Sequence, residues 1–132
     1  MANWYVSSVA YAAVAQFAIS TAYVVGDIVR QLAAPAAGSE RCFRCTTAGT
    51  SGGAEAAWTL TKAGTTNQGT AVFTEISGNE TYQGTGWAAP HARLRNVMTT
   101  GGWSAAGDTI FVSADHADTE AAGITLSLTT AN

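Results

Sequence analysis

Short stretches of alternating hydrophobic and polar residues run through the chain, and they predict a protein built mainly from β-strands. In residues 5–12 the larger aromatic and β-branched side chains Tyr5, Val9 and Tyr11 fall on one set of alternate positions, which predicts a first strand, followed by a turn or short helix at 15–22. Residues 109–113 predict a buried strand. Residues 124–129 alternate apolar with hydroxyl-bearing side chains, which is typical of a strand with one buried face.

The middle of the chain, residues 20–77, contains short β-type stretches separated by glycine-rich turns. The predicted order is a strand–turn–strand unit at 23–30, a loop at 32–40, a strand at 41–47, a flexible turn at 48–54 and a strand at 70–76. The Gly-Asp pair in the first unit favours a turn between β-branched residues, and a proline interrupts the loop. We therefore expect a small β-module with little helix.

One stretch has the pattern of a helix. Within residues 88–98, Leu94, Val97 and Met98 share a face because they are spaced i, i+3, i+4. Pro90 suits the first turn of a helix, and a Gly-Gly pair follows the last. These signals predict a short amphipathic helix between the β-module and the C-terminal strands.

The predicted fold class is therefore mainly β, in three segments. Residues 1–19 form an N-terminal strand region, residues 20–77 form the β-module, and residues 78–132 carry the helix and the last strands. No run of apolar residues reaches the roughly 20 needed to span a bilayer, so we expect no membrane span.

Composition narrows the classes of partner. Only 11% of the residues are charged, with 6 Lys and Arg against 9 Asp and Glu, for a net charge of −3. So few basic residues argue against binding to a nucleic acid backbone. The low charge is better explained if other chains cover much of the surface, because the cores of interfaces are depleted of charge.

The two cysteines, Cys42 and Cys45, form an isolated C-x-x-C. A structural zinc site needs four ligands, and the surrounding residues indicate a strand rather than the start of a helix that a redox motif requires. Residues three apart on a strand point to opposite faces. We expect two free thiols in partly buried positions.

Catalytic and cofactor-binding motifs are missing from the sequence, so we expect neither an enzyme nor a bound cofactor. The most metal-like group is His116, Asp118 and Glu120, which would share one face of an extended segment. A solvated turn explains these residues better, and we predict no metal site.

The C-terminal segment resembles the start of a right-handed parallel β-helix of the pectate-lyase-like type found in bacteriophage tail spikes. The matching stretches are NWYV at 3–6, WAAPHARL at 87–94 and AAGDTIFVSADHA at 105–117. In that family a short helix caps the solenoid and a Gly-Asp-Thr-Ile strand begins its first coil. A solenoid buries its apolar face by stacking repeats. One coil therefore leaves an assembly edge, to which we assign Ile110, Val112, Ile124, Leu126 and Leu128.

The β-module is distantly similar to small chitin-binding-type carbohydrate modules that occur in phage structural proteins. The matching stretches are YVVGDIV at 23–29, FRCTTAGTSG at 43–52, EAAW at 55–58 and VFTE at 72–75. The resemblance implies a glycan-binding site at Tyr23, Trp58 and Phe73, whose rings could stack on sugars. In so small a module the same aromatic residues are expected to form the core instead.

Together the resemblances imply a bacteriophage or prophage virion protein. The expected role is structural, as the attachment region of a tail fibre or spike, or as a particle-decorating protein. The expected partners are other virion proteins and further copies of the chain, with a trimer implied by analogy with fibres and spikes. The alternative is a module that binds host surface polysaccharide, alone or as part of a depolymerase.

Overall fold

The computed structural model describes residues 3–78, 86–98 and 107–117, and in these residues the chain is mainly β. A 3₁₀ turn also covers Gly86–Ala88. The strands and helices in chain order are β1 Asn3–Val6, α1 Ser8–Ala13, β2 Ala22–Tyr23, β3 Ile28–Arg30, β4 Cys42–Thr47, β5 Gly49–Thr50, β6 Thr65–Gln68, β7 Ala71–Glu75, α2 Leu94–Met98 and β8 Thr109–Val112. Neither α-helix is long and apolar enough to cross a membrane.

The β-module is organised around a four-stranded antiparallel sheet with the strand order β3-β4-β7-β6. The strands predicted at 41–47 and 70–76 are confirmed as β4 and β7, which pair through Cys45 and Phe73. Strand β6 was not predicted, because its sequence Thr-Thr-Asn-Gln has no apolar alternation. It pairs with β7 along its whole length, so tertiary pairing outweighs its weak local preference.

The strand–turn–strand unit predicted at 23–30 is confirmed, but its two strands do not pair with each other. Strand β2 pairs with β5, while β3 pairs with β4. Gly26 lies between them with a φ of 105°, a conformation open to glycine and strained for other residues. The turn therefore directs the chain from one sheet to another.

The two ends of the described chain meet in a parallel strand pair. Strand β1 pairs with β8, with Asn3 opposite Thr109 and Val6 opposite Val112. The other side of β1 is occupied by Gly78 and His91, which exchange backbone hydrogen bonds with Tyr5. Strand β1 is therefore central, and β8 is the outer strand among the described residues.

The prediction of a strand at 5–12 is wrong beyond Val6. Ser7 is the N-cap of helix α1, and its hydroxyl oxygen accepts a hydrogen bond from Ala10 N at 3.0 Å. Serine is a favoured N-cap residue and alanines favour the helix that follows. These local preferences outweigh the alternation of larger and smaller side chains on which the strand prediction rested.

The apolar side chains of the described residues form three clusters. The largest fills the β-module and contains Phe17, Tyr23, Val29, Phe43, Cys45, Ala71 and Phe73, with Trp58 packed against it. A second cluster joins Trp4 and Val6 of β1 to Val97 of α2. The third lies on the opposite face of the four-stranded sheet and contains Val14, Cys42, Ile76 and Ala89.

The two cysteines belong to different clusters, which confirms that they point to opposite faces of β4. Both are free thiols, and they are fully rather than partly buried. Burial raises the pKa of each thiol, so neither is a reactive thiolate at neutral pH.

Candidate functional site

The three residues predicted to bind glycans, Tyr23, Trp58 and Phe73, are brought together in the core of the β-module. Phe73 is fully buried and Tyr23 is 8% exposed. Phe17 packs edge-on against Phe73, with ring centroids 5.9 Å apart, and face-to-face against Tyr23. Phe73 and Tyr23 therefore present no open ring face for a sugar, and a platform made of these three side chains is corrected to an aromatic core.

Trp58 is the one member of this group at the surface of the core. Its ring stacks on Phe43 at 4.1 Å, and its Nε1 donates a hydrogen bond to Glu55 at 2.6 Å. Glu55 also accepts hydrogen bonds from the backbone N–H groups of Leu32 and Ala33. The carboxylate thus joins two loops and holds the indole in place.

A groove of about 390 Å³ runs between these two loops. Trp58 lines it together with Gln31, Ala33, Pro35, Glu55 and Leu60. The lining is mainly apolar, and both Gln31 and Glu55 already make hydrogen bonds within the protein. The groove offers apolar contact and few polar groups that could orient a ligand.

The predicted assembly edge falls on β8 for the two of its residues that the structure describes, Ile110 and Val112. Ser113 N donates to Val6 O at 2.9 Å. Backbone groups alternate in direction along a strand, so Phe111 and Ser113 turn theirs towards β1, while Ile110 and Val112 turn theirs outward. The other predicted edge residues, Ile124, Leu126 and Leu128, lie outside the described residues.

Strand β8 is less buried than predicted. Phe111 is 41% exposed and Val112 is 48% exposed, and Ile110 is half-buried against the cluster that contains Trp4. The position of the strand is confirmed, but its burial is wrong for the described part of the protein. Apolar side chains on an outer strand favour pairing with a further strand.

A partly exposed row of aromatic rings lies across β1 and β8, and the sequence alone did not predict it. Tyr5 stacks on Phe111 with ring centroids 5.2 Å apart, and Trp87 packs edge-on against Tyr5 at 4.9 Å. Trp87 is 46% exposed. The parallel pairing of β1 and β8 brings the rings together, and the local sequence carries no signal for that pairing.

The segment 107–117 is held against the N-terminal elements by side-chain hydrogen bonds. Asp108 Oδ2 accepts from Trp4 Nε1 at 2.9 Å, and His116 Nδ1 accepts from Ser8 N at 3.1 Å. Ala117 N in turn donates to Ser8 Oγ. His116, weighed from sequence as a metal ligand, therefore satisfies an N–H group at the start of α1.

The other two members of that group, Asp118 and Glu120, lie outside the described residues. Within residues 3–78, 86–98 and 107–117, no three His, Cys, Asp or Glu side chains are close enough to hold a metal ion.

Charged and polar side chains are buried where the β-module meets α2 and the residues just before it. Arg41 is fully buried, and its Nη1 donates to the backbone oxygens of Gly38 and Glu40. Glu40 forms a 2.7 Å ion pair with Arg93 and accepts a hydrogen bond from Asn96 of α2. This cluster connects β4 to α2, and no sequence motif predicted it.

His91 is the centre of a group of residues that we call the joint, in which its ring contacts Trp4 and Gly78 and the charge of Arg41 acts on it. The ring of His91 is fully buried, with its centroid 5.8 Å from that of Trp4. Gly78, with a φ of 62°, lies against the ring, and a methyl group at this position would collide with it. His91 N donates to Tyr5 O, and Ser7 N donates to His91 O.

Burial changes the acid–base properties of two groups near the joint in opposite directions. It raises the pKa of Glu75 in β7 to about 7, although hydrogen bonds from Ser77 and Ala63 oppose the increase. It lowers the pKa of His91 to about 3, and the positive charge of Arg41 adds to this effect. At neutral pH His91 is therefore uncharged, and Glu75 is partly protonated.

In comparisons with known proteins, the sequence matches no family model, no curated protein and no solved structure.

Proposed function

We propose that this protein is a structural subunit of a bacteriophage virion that works by assembly rather than by catalysis. In this proposal the parallel pair β1–β8 is the start of a right-handed β-helix in a tail fibre, spike or particle-decorating protein. The observation that carries the proposal is the side of β8 that faces away from β1, where Ile110 and Val112 turn their backbone groups outward and no other strand of the described residues pairs. Such an edge binds another strand by hydrogen bonding.

Two further features support assembly through this edge. Parallel strands require a long crossover connection, and here the whole β-module lies between β1 and β8. Apolar Phe111 and Val112 are exposed on the same strand, in a chain with 11% charged residues. A partner strand would bury apolar area and pair the outward backbone groups at once.

The proposed partners are further copies of the chain, as a trimer, together with other virion proteins. Ile124, Leu126 and Leu128 are proposed to belong to the same assembly edge, because their alternation with hydroxyl residues matches a strand with one apolar face. The proposed location is the virion, with assembly in the host cytoplasm.

The proposal predicts that Val112→Lys prevents self-association. Lysine on an outer strand opposes strand addition, so we expect the dissociation constant to rise by at least about tenfold. Val24→Lys is the matched control, because Val24 is 64% exposed and lies in the turn between β2 and β3. The measurement is size-exclusion chromatography with light scattering on the full chain at micromolar concentration.

We expect oligomers from the wild type and from Val24→Lys, and monomers from Val112→Lys. A wild-type protein that remains monomeric at this concentration would contradict the proposal. So would a Val112→Lys variant that associates as strongly as the control.

Binding of host surface polysaccharide is the second candidate function, and the partly exposed aromatic row of Tyr5, Trp87 and Phe111 favours it. Asn3 and Thr109 lie opposite each other on the same side of the strand pair, so amide and hydroxyl groups flank the rings. Aromatic faces beside hydrogen-bonding groups are suited to sugar rings.

This alternative predicts that Trp87→Ala weakens retention on immobilised polysaccharide by about tenfold or more, because the variant loses one stacking contact and the apolar area that it buries. Val9→Ala, an exposed apolar change on α1, is expected to leave retention unchanged. Equal retention of both variants and the wild type would exclude the aromatic row as a glycan site. Circular dichroism checks that each variant is folded.

A further inference from the structure

At the joint, a buried, titratable ring connects the β-module to the terminal elements, by which we mean β1, α2 and β8. His91 binds β1 through its backbone on one side, and its ring lies against Trp4 and Gly78 on the other. Gly78 follows the last strand of the β-module and donates its N–H to Ala89 O. Separation of the terminal elements from the β-module therefore requires movement of His91.

The charges around the joint make a proton on this ring unfavourable. The buried Arg41 already places a positive charge beside it. Glu75, Glu40 and Tyr11 interact electrostatically with Arg41, and Lys62 Nζ lies over the Trp4 ring, 4.5 Å from its centroid. Acid also neutralises Glu75, whose pKa is about 7, so the positive charge of Arg41 becomes less compensated as the pH falls.

We propose that the joint is acid-sensitive: a proton on His91 separates β1, α2 and β8 from the β-module, while the β-module stays folded. The protein has two histidines, His91 and His116, and neither lies within residues 20–77. The largest cluster of the β-module consists of aromatic and aliphatic side chains and a cysteine. Protonation of its buried acid, Glu75, stabilises the β-module. Acid therefore acts in opposite directions on the two parts.

The size of the effect follows from the difference between the pKa of His91 in the closed joint, about 3, and its ordinary value. Below about pH 6.5, each decrease of one pH unit is expected to raise the fraction of molecules with an open joint about tenfold. The increase ends near pH 3, where the ring of the closed state also binds a proton. Between pH 6.5 and 4.5 the open population should therefore rise by about a hundredfold.

Hydrogen exchange measured by mass spectrometry tests this proposal on the full chain between pH 7 and 4, after correction for the intrinsic exchange rate. We expect acid to accelerate exchange in peptides that cover 3–13 and 86–98 and to leave β4 and β7 protected. His91→Gln, which places a neutral side chain in the joint, should remove this pH dependence. His116→Gln is the matched control and should keep it.

Nuclear magnetic resonance of the wild type provides a second measurement, in which the variants serve only to assign the ring signals. With two histidine rings, the signals of His91 and His116 can be assigned by comparison with the variants. A His91 ring that titrates near 6.5 while β1 stays protected would overturn the proposal. Simultaneous exposure of β4 and β7 with β1, or an unchanged pH dependence in His91→Gln, would also overturn it.

Discussion

Replacing Phe73 by alanine is expected to lower the free energy of unfolding by about 4 kcal/mol. The Phe73 ring is fully buried in the centre of the β-module and contacts Phe17, Tyr23 and Trp58 with ring centroids between 5.1 and 5.9 Å. Removing it leaves a cavity that surrounding rings cannot fill, because they are packed against one another. Urea denaturation followed by tryptophan fluorescence measures the change.

The control for this experiment is Val24→Ala, whose side chain is 64% exposed. We expect a change of less than about 0.5 kcal/mol there. If Phe73→Ala were equally mild, the aromatic cluster would not be the core of the β-module, and a surface role for the ring would return. A binding defect in Phe73→Ala or Trp58→Ala has to be interpreted together with the loss of stability.

Replacing Glu75 by glutamine is expected to stabilise the protein at alkaline pH and to change the dependence of stability on pH. Burial raises the pKa of Glu75 from 4.5 in the unfolded chain to about 7. Its stabilising contribution is therefore complete below pH 4.5 and is lost as the pH rises through 7. Through this group the wild type should lose about 3 kcal/mol between pH 4.5 and 8, a loss that glutamine removes.

The contribution of His91 to stability changes with pH in the opposite direction. Burial lowers the pKa of His91 to about 3, so its contribution is complete above pH 6.5 and is lost as the pH falls towards 3. Between pH 6.5 and 4.5 the two contributions offset each other in the wild type. The slope of stability against pH in Glu75→Gln should therefore show the histidine contribution, and that in His91→Gln should show the carboxylate contribution.

Urea denaturation curves at half-unit intervals from pH 4 to 8 test both dependences of stability on pH. The midpoint of each transition reports the stability, and a constant steepness of the transition shows that unfolding stays two-state. A wild type that becomes more stable between pH 7 and 8, with Glu75→Gln parallel to it, would show that the carboxylate is not held protonated by burial.

The sequence predicted the parts of the fold that depend on local pattern. Strands β4 and β7 are rich in β-branched and aromatic residues, and both were found where expected. The opposite orientation of Cys42 and Cys45 follows from their spacing on a strand. The preference for a core role over a sugar platform is confirmed for Tyr23 and Phe73, while Trp58 packs against that core and is partly buried, because a small module needs its large side chains for burial.

The features that were missed depend on contacts between distant residues. Strand β6 forms because β7 offers it a partner, and the row of Tyr5, Trp87 and Phe111 exists because β1 and β8 are parallel. Buried charges such as Arg41 and Glu75 were not predicted, since charged residues are usually exposed unless paired. The N-cap at Ser7 was a local signal, and the Ser-Val-Ala run that follows it could have identified the helix.

The parallel pairing of β1 with β8 has a consequence for how the polypeptide folds as it is made. The hydrogen bond between Trp4 and Asp108 joins residues 104 positions apart. During translation β1 is synthesised before β8 and is unpaired until β8 leaves the ribosome. The antiparallel sheet, whose strands are close in sequence, can form in that interval. A chaperone that protects β1 until β8 is synthesised would favour the native strand pair.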